Sequence, residues 1–252
     1  MLSLVVGFAG VSLAQEEFTA SLGGTFLGPT GLVLVPTAEG LSKQEIRASL
    51  HTFKPVDEPG YEITDSILAV TYGVTENLEV GVGVESLDWK IGALSDTETG
   101  YIVSAKYAFP LSETSPAAFA VGGIYEKFEL SYVSETKSTT LYVVASKALG
   151  EKAKVHLGAG WGKDEVTAGV TTADNSDFAY FAGVELLPIP RLTISAEYLS
   201  QPDDENADTE DRTIGFGARY AVTEKLNLEA AMVDFGGKEK DYNYFAGFSY
   251  TF

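Results

Sequence analysis

The sequence predicts an all-β fold, a single antiparallel transmembrane β-barrel of about twelve strands with both termini on the periplasmic side. Three observations predict it. Segments of about ten residues alternate apolar and polar side chains, the connections between them alternate between short and long, and the last segment carries an aromatic stripe. The 26 glycines and the 12% of aromatic residues also favour many strands and tight turns over helices.

Composition excludes several other classes of protein. No run reaches the roughly 18 apolar residues of a membrane-spanning helix. The formal charge of −19, from 17 Lys and Arg against 36 Asp and Glu, argues against a nucleic-acid partner, because clustered basic side chains are needed to hold phosphates. The chain has no Cys, so disulfides, thiolate metal sites and cysteine nucleophiles are excluded. We expect no cofactor and no metal site.

The first element is a short apolar run from Leu2 to Leu13 that precedes the barrel. It ends in Ser12-Leu13-Ala14, which has small residues at the two positions that a signal peptidase recognises, and three polar residues follow. This pattern predicts a signal peptide over residues 1–14, although no Lys or Arg follows Met1; the alternative is a buried first strand. Residues 15–44 then form a plug or a periplasmic segment, and residues 45–252 form the barrel.

The barrel strands follow from Glu45 onward, and their even number suits a bacterial barrel. The short connections are residues 75–77, 111–116, 150–152, 188–191 and 223–225, whereas the others are longer and acidic. The predicted strands are 45–54, 65–74, 78–89, 101–109, 117–128, 139–148, 153–163, 178–187, 192–200, 212–221, 226–235 and 242–252.

One face of these strands is apolar, as in Val80, Val82 and Val84, and we assign it to lipid. Aromatic residues lie near both strand ends, as expected of the two interfacial girdles of a membrane barrel. A soluble β-sandwich with these residues in its core is the alternative, but it leaves the loop asymmetry and the export signal unexplained.

The opposite face is polar and rich in glycine, and we assign it to the lumen. Its charges are either a constriction ring that sorts solutes or a network of structural salt bridges that fills a narrow barrel. Because Gly-x-Gly pairs leave volume there, water or an inward-folded segment of residues 16–44 must occupy it. The predicted lumen-lining residues are Arg47, His51, Glu79, Lys106, Glu126, Lys154, His156, Glu185, Glu197, Arg219 and Glu229.

An enzymatic site is not expected. His51 and His156 are the only imidazole bases, and the two-residue alternation along their strands places both side chains in the lumen. No Gly-x-Ser-x-Gly nucleophile elbow is present. The acidic loop 203–211 lacks the glycine and the terminal Glu of an EF-hand, so we expect a solvated loop. Divalent bridging between this loop and lipopolysaccharide remains the alternative.

The last strand, residues 242–252, places Tyr244, Phe248, Tyr250 and Phe252 on one face. This ending resembles the C-terminal assembly signal of bacterial outer-membrane proteins, in which a terminal aromatic follows alternating apolar positions. The resemblance implies location in the bacterial outer membrane, with lipid, lipopolysaccharide and the barrel-assembly machinery as partners.

The stretch Gly28-Pro29-Thr30-Gly31-Leu32-Val33-Leu34-Val35-Pro36-Thr37-Ala38-Glu39-Gly40 resembles the start of the YjbH-like outer-membrane family, which is associated with exopolysaccharide production. The family often has Arg where this chain has Glu39. The resemblance implies a role in secreting or handling a surface polysaccharide.

Two functions are therefore predicted. The first is a porin-like, non-enzymatic channel for small polar or oligosaccharide solutes. The second is a structural or accessory protein of surface-polysaccharide assembly or export with a closed lumen.

Overall fold

The computed structural model of the protein describes residues 23–58, 60–110, 117–130, 134–168, 171–200, 212–236 and 242–252. The predicted signal peptide and the acidic loop 203–211 lie outside the described residues. Within those residues, no helix is long and apolar enough to cross a membrane.

Twelve β-strands form the fold of the described residues, and each pairs antiparallel with its neighbours in sequence. The last strand pairs with the first, so the sheet is a closed barrel. The predicted antiparallel barrel of about twelve strands is confirmed, whereas the periplasmic position of both termini stays a prediction. The strands are β1 Ile46–Glu58, β2 Tyr61–Gly73, β3 Leu78–Ile91, β4 Leu94–Ala108, β5 Ala118–Leu130, β6 Ser134–Ala148, β7 Ala153–Ala168, β8 Thr171–Ile189, β9 Leu192–Ser200, β10 Arg212–Ala221, β11 Leu226–Asp234 and β12 Tyr242–Thr251.

The barrel has a terminal end, where β1 begins and β12 finishes, and an opposite loop end. Two similar turns at the terminal end, residues 74–77 and 222–225, fold alike. The Val74 amide donates to the Leu78 carbonyl at 2.8 Å, and the Val222 amide donates to the Leu226 carbonyl at 2.9 Å. The repeated sequence of these turns therefore encodes one repeated local structure.

Strands β1 to β8 extend further toward the loop end than the sequence predicts. β7 has 16 residues and β8 has 19, whereas about ten suffice to cross the hydrocarbon layer. The predicted long loop between β3 and β4 is a tight hairpin in which Gly92 has φ of 60°. The prediction of a loop there is wrong because strand pairing continues beyond the region in which an apolar face is needed.

The seam between β1 and β12 closes the barrel. Their register runs from Arg47 opposite Thr251 to Phe53 opposite Phe245, and the Phe252 amide donates to the Ile46 carbonyl at 2.8 Å. The four residues of the predicted assembly signal are all exposed on the outer surface: Tyr244, Phe248, Tyr250 and Phe252. Their recognition by assembly machinery stays a prediction.

The outer surface of the barrel is apolar. Side chains alternate between exposed and buried along β3, where Val80, Val82 and Val84 are exposed and the intervening residues are buried. Tyr72, Tyr107 and Tyr220 are also exposed, near the terminal end. A surface of this kind suits contact with lipid rather than with water.

Candidate functional site: the interior of the barrel

Residues 23–41, here called the inner segment, lie inside the barrel, and each of them is buried or half-buried. The segment reverses direction twice, with bridges between Gly24 and Thr30 and between Gly31 and Pro36. Gly28 has φ of 108°, a conformation that side chains with a Cβ rarely adopt. A Cβ at Gly31 would stand 2.5 Å from the Val35 carbonyl oxygen, so both glycines permit the tight path.

Glu79 on β3 holds both ends of the second reversal. One carboxylate oxygen accepts a hydrogen bond from the Thr30 amide at 2.9 Å, and the other accepts one from the Leu41 amide at 3.0 Å. Lys106 on β4 lies 3.1 Å from Glu79 Oε1 and donates to the Thr30 carbonyl at 2.9 Å. The backbone of the inner segment therefore supplies hydrogen-bond partners to both members of this buried ion pair, and these bonds offset part of the cost of burying the two charges.

Glu197 on β9 binds the opposite part of the inner segment. Its carboxylate accepts hydrogen bonds from three consecutive amides, those of Val33 at 2.9 Å, Leu34 at 2.8 Å and Val35 at 3.0 Å. Successive amides directed at one anion form a concave binding site for negative charge. The inner segment thus satisfies a wall carboxylate that is 4% exposed.

Two arginines bind carbonyl groups of the same segment. Arg47 on β1 donates to the Gly23 carbonyl at 2.6 Å and to the Gly28 carbonyl at 2.8 Å. Arg219 on β10 donates to the Gly31 carbonyl at 3.1 Å. Carboxylates therefore bind the amides of the segment and guanidinium groups bind its carbonyls, as hydrogen-bond polarity requires.

A second polar group lies beside Arg219. His51 Nε2 is 3.1 Å from Glu229 Oε2, the Ser249 hydroxyl donates to Glu229 Oε1 at 2.8 Å, and Arg219 Nε is 3.6 Å from the same oxygen. A cavity of about 30 Å³ adjoins this group. That volume is enough for one or two water molecules.

The final part of the segment contacts β6 and β7. Lys154 Nζ is 2.7 Å from Glu39 Oε1. Burial raises the pKa of Glu39, but the charge and hydrogen bond of Lys154, with smaller contributions from His156 and Thr37, together outweigh it, so the pKa lies below its ordinary value. The Ala38 amide donates to the Ser146 hydroxyl at 2.8 Å, and that oxygen lies 2.8 Å from His156 Nδ1. This buried Ser–His pair therefore serves to hold the segment.

Apolar contacts complete the packing. Leu32, Val35 and Ala38 join an interior cluster with Tyr142 and Phe181 from the wall. Full burial of a side chain such as Leu or Val contributes about 1.5–3 kcal/mol. Tyr142 and Phe181 are not among the predicted lumen-lining residues, although their position on the interior face follows from the two-residue period of β6 and β8.

The predicted lumen-lining residues differ in their surroundings. Arg47, Glu79, Lys106, Glu197 and Arg219 form hydrogen bonds with the backbone of the inner segment, and Lys154 pairs with the Glu39 side chain of that segment. His51 pairs with Glu229, and His156 contacts Ser146. Glu185 is buried beside the cavity. Glu126 lies instead near Asp65, a like-charged carboxylate toward the loop end that is not among the predicted lumen-lining residues. That these residues line a water-filled lumen stays a prediction.

No protein-family model and no curated protein sequence matches this chain, so the resemblance to the YjbH-like family also stays a prediction. Solved structures are similar in fold. A KdgM porin has a TM-score of 0.59 at 12% identity, covering 82% of this chain and 99% of its own. The COG4313 outer membrane channel from Pseudomonas putida F1 has a TM-score of 0.58 at 16% identity, covering 85% and 98%. A NanC porin has a TM-score of 0.54 at 14% identity, covering 82% and 98%.

The likeness at these identities concerns the fold. A closed twelve-stranded barrel with an apolar outer surface belongs to the bacterial outer membrane. Within the described residues, no group of three or more His, Asp or Glu side chains is placed to hold a metal ion.

Proposed function

We propose that this protein is a non-enzymatic outer-membrane channel for small polar or oligosaccharide solutes, and that the inner segment closes its lumen in the present conformation. The observation that carries the proposal is the polarity of the wall around the segment. Arg47, Glu79, Lys106, Glu197 and Arg219 hold it by hydrogen bonds to its backbone. Water can replace such bonds when the segment moves, because it offers both donors and acceptors.

The charge of the chain favours neutral or cationic solutes over anionic ones. Its formal charge is −19, and a strongly negative field lowers the local concentration of anions. A KdgM porin has been solved in complex with disordered oligogalacturonate, which supports a saccharide as the class of solute. Because the present chain is strongly negative, we propose an uncharged saccharide or another small polar solute.

A second candidate is a closed-lumen structural or accessory protein in surface-polysaccharide assembly. The apolar contacts of Leu32, Val35 and Ala38 with the wall favour it, because they resemble those of a permanent core. On this proposal the inner segment never leaves the lumen.

Single-channel recording in planar bilayers distinguishes the two candidates. The channel proposal expects brief conductance steps from the full chain and sustained ohmic steps from a variant that lacks residues 16–41. Heat-modifiable migration on a gel checks that the shortened barrel is folded. Silence from both folded proteins contradicts the channel and favours the closed-lumen protein.

A further inference from the structure

A cluster of carboxyl groups lies on the inner wall toward the loop end, separate from the charges that hold the inner segment. Asp65 on β2 and Glu85 on β3 are diagonal neighbours, close enough for a hydrogen bond between their carboxyl groups. Glu126 on β5 approaches Glu85 across β4, where Gly100 provides no side chain. The Phe128 ring and the Glu85 carboxyl group occupy the space over Gly100, since a Cβ there would stand 2.5 Å from Phe128 Cδ2 and 3.3 Å from Glu85 Oε2.

These carboxyl groups lack compensation by positive charge. Asp65 is 5% exposed and Glu85 is 8% exposed, and Asp65 Oδ1 and Glu85 Oε2 accept no hydrogen bond in the structure. No Lys or Arg of the described residues is close enough to interact with Asp65, Glu85 or Glu126. His51, across β2 from Glu85, is already engaged with Glu229.

The surroundings of the cluster are apolar and aromatic. Ile67 and Ile102 pack with Phe26 and Leu27 of the inner segment beneath it. Phe53 stands opposite Asp65 in the register of β1 and β2, and its ring stacks on Phe245 with centroids 4.4 Å apart. A buried carboxylate beside apolar groups is costly unless a cation or a proton neutralises it.

We propose that Asp65, Glu85 and Glu126 form a binding site for an organic cation that carries an ammonium or guanidinium group. The N–H donors of a guanidinium group, or of two ammonium groups on one chain, are spread widely enough to reach separate acceptors on three strands. The carboxyl groups do not converge as metal ligands do, since no group of three among the described residues is placed to hold a metal ion. The methylene groups of such a cation pack on aromatic rings, and Phe53 adds cation–π attraction.

Isothermal titration calorimetry on the full chain, folded in detergent at pH 7, tests this site with three compounds that share a four-carbon skeleton. We expect saturable binding of putrescine and none of neutral 1,4-butanediol or anionic succinate. This comparison needs no variant and no conductance, so it can fail while the channel proposal holds, and the reverse is also possible.

Variants locate the binding. Glu85→Gln or Glu126→Gln weakens putrescine binding about tenfold, which corresponds to about 1.4 kcal/mol. Phe53→Leu weakens it about threefold. The control Glu76→Gln, in an exposed turn at the terminal end, leaves it unchanged.

Three results overturn the proposal. If putrescine shows no saturable binding, a proton shared between Asp65 and Glu85, and not an organic cation, offsets the negative charge of the cluster. Equal binding by the unaltered chain, Glu85→Gln and Glu126→Gln places the cation elsewhere. Binding of Ca²⁺ that Glu85→Gln abolishes, without binding of putrescine, identifies a metal site instead.

Discussion

Single carboxylates of the wall determine where the inner segment lies. Glu79 joins Thr30 and Leu41, which are separated in sequence, and Glu197 accepts three consecutive amides. A neutral side chain of the same shape cannot accept these bonds as well, because an amide replaces one acceptor oxygen by a donor. These contacts are therefore the most sensitive to substitution.

Glu197→Gln turns a donor toward backbone amides and removes charge-assisted hydrogen bonds. We expect it to lower the free energy of unfolding by about 2 kcal/mol, measured from the urea midpoint of the refolded protein. The control is Glu224→Gln, in an exposed turn, which leaves the midpoint unchanged. An unchanged midpoint for Glu197→Gln would contradict the conclusion that its three hydrogen bonds fix the inner segment.

Among the elements, the strands are far easier to predict from the sequence than the inner segment. Where β3 and β10 cross the apolar layer, alternation gives the strand and its outward face directly. The alternation of apolar and polar side chains fades toward the loop end, where polar residues continue the strand pairing. The inner segment has no such period, and its course depends on contacts with Glu79 and Glu197, which are distant in sequence. The alternation along β9 therefore predicts the interior position of Glu197, but it cannot predict that the amides of Val33, Leu34 and Val35 are its partners.

The last strand gives a prediction at this scale. Because the Phe252 amide bonds to Ile46 across the closing seam, deletion of Phe252 removes a seam contact and an exposed aromatic side chain. We expect material to accumulate in the periplasm, measured by fractionation and heat-modifiable migration. Phe178→Ala removes another exposed aromatic ring away from the seam and is the control. A normal outer-membrane yield without Phe252 would contradict the C-terminal signal.

The whole molecule combines an apolar outer surface, a polar wall and a segment of its own chain within that wall. A barrel that holds a folded-back peptide has a lumen wide enough for a small solute once the peptide moves. The assignment of the terminal end to the periplasm stays a prediction, and it would place the start of the inner segment on the side from which the barrel is assembled.

The central claim is that movement of the inner segment opens the lumen, and a reversible covalent link tests it most directly. The Ala38 amide lies 2.8 Å from the Ser146 hydroxyl, and the chain has no Cys of its own, so Ala38→Cys with Ser146→Cys provides a single disulfide. Single-channel recording of this double variant should show no openings under oxidising conditions and recurrent openings after reduction, with either single variant insensitive to redox conditions. Equal conductance in the oxidised and reduced states, with the disulfide verified by mass spectrometry, would contradict the account.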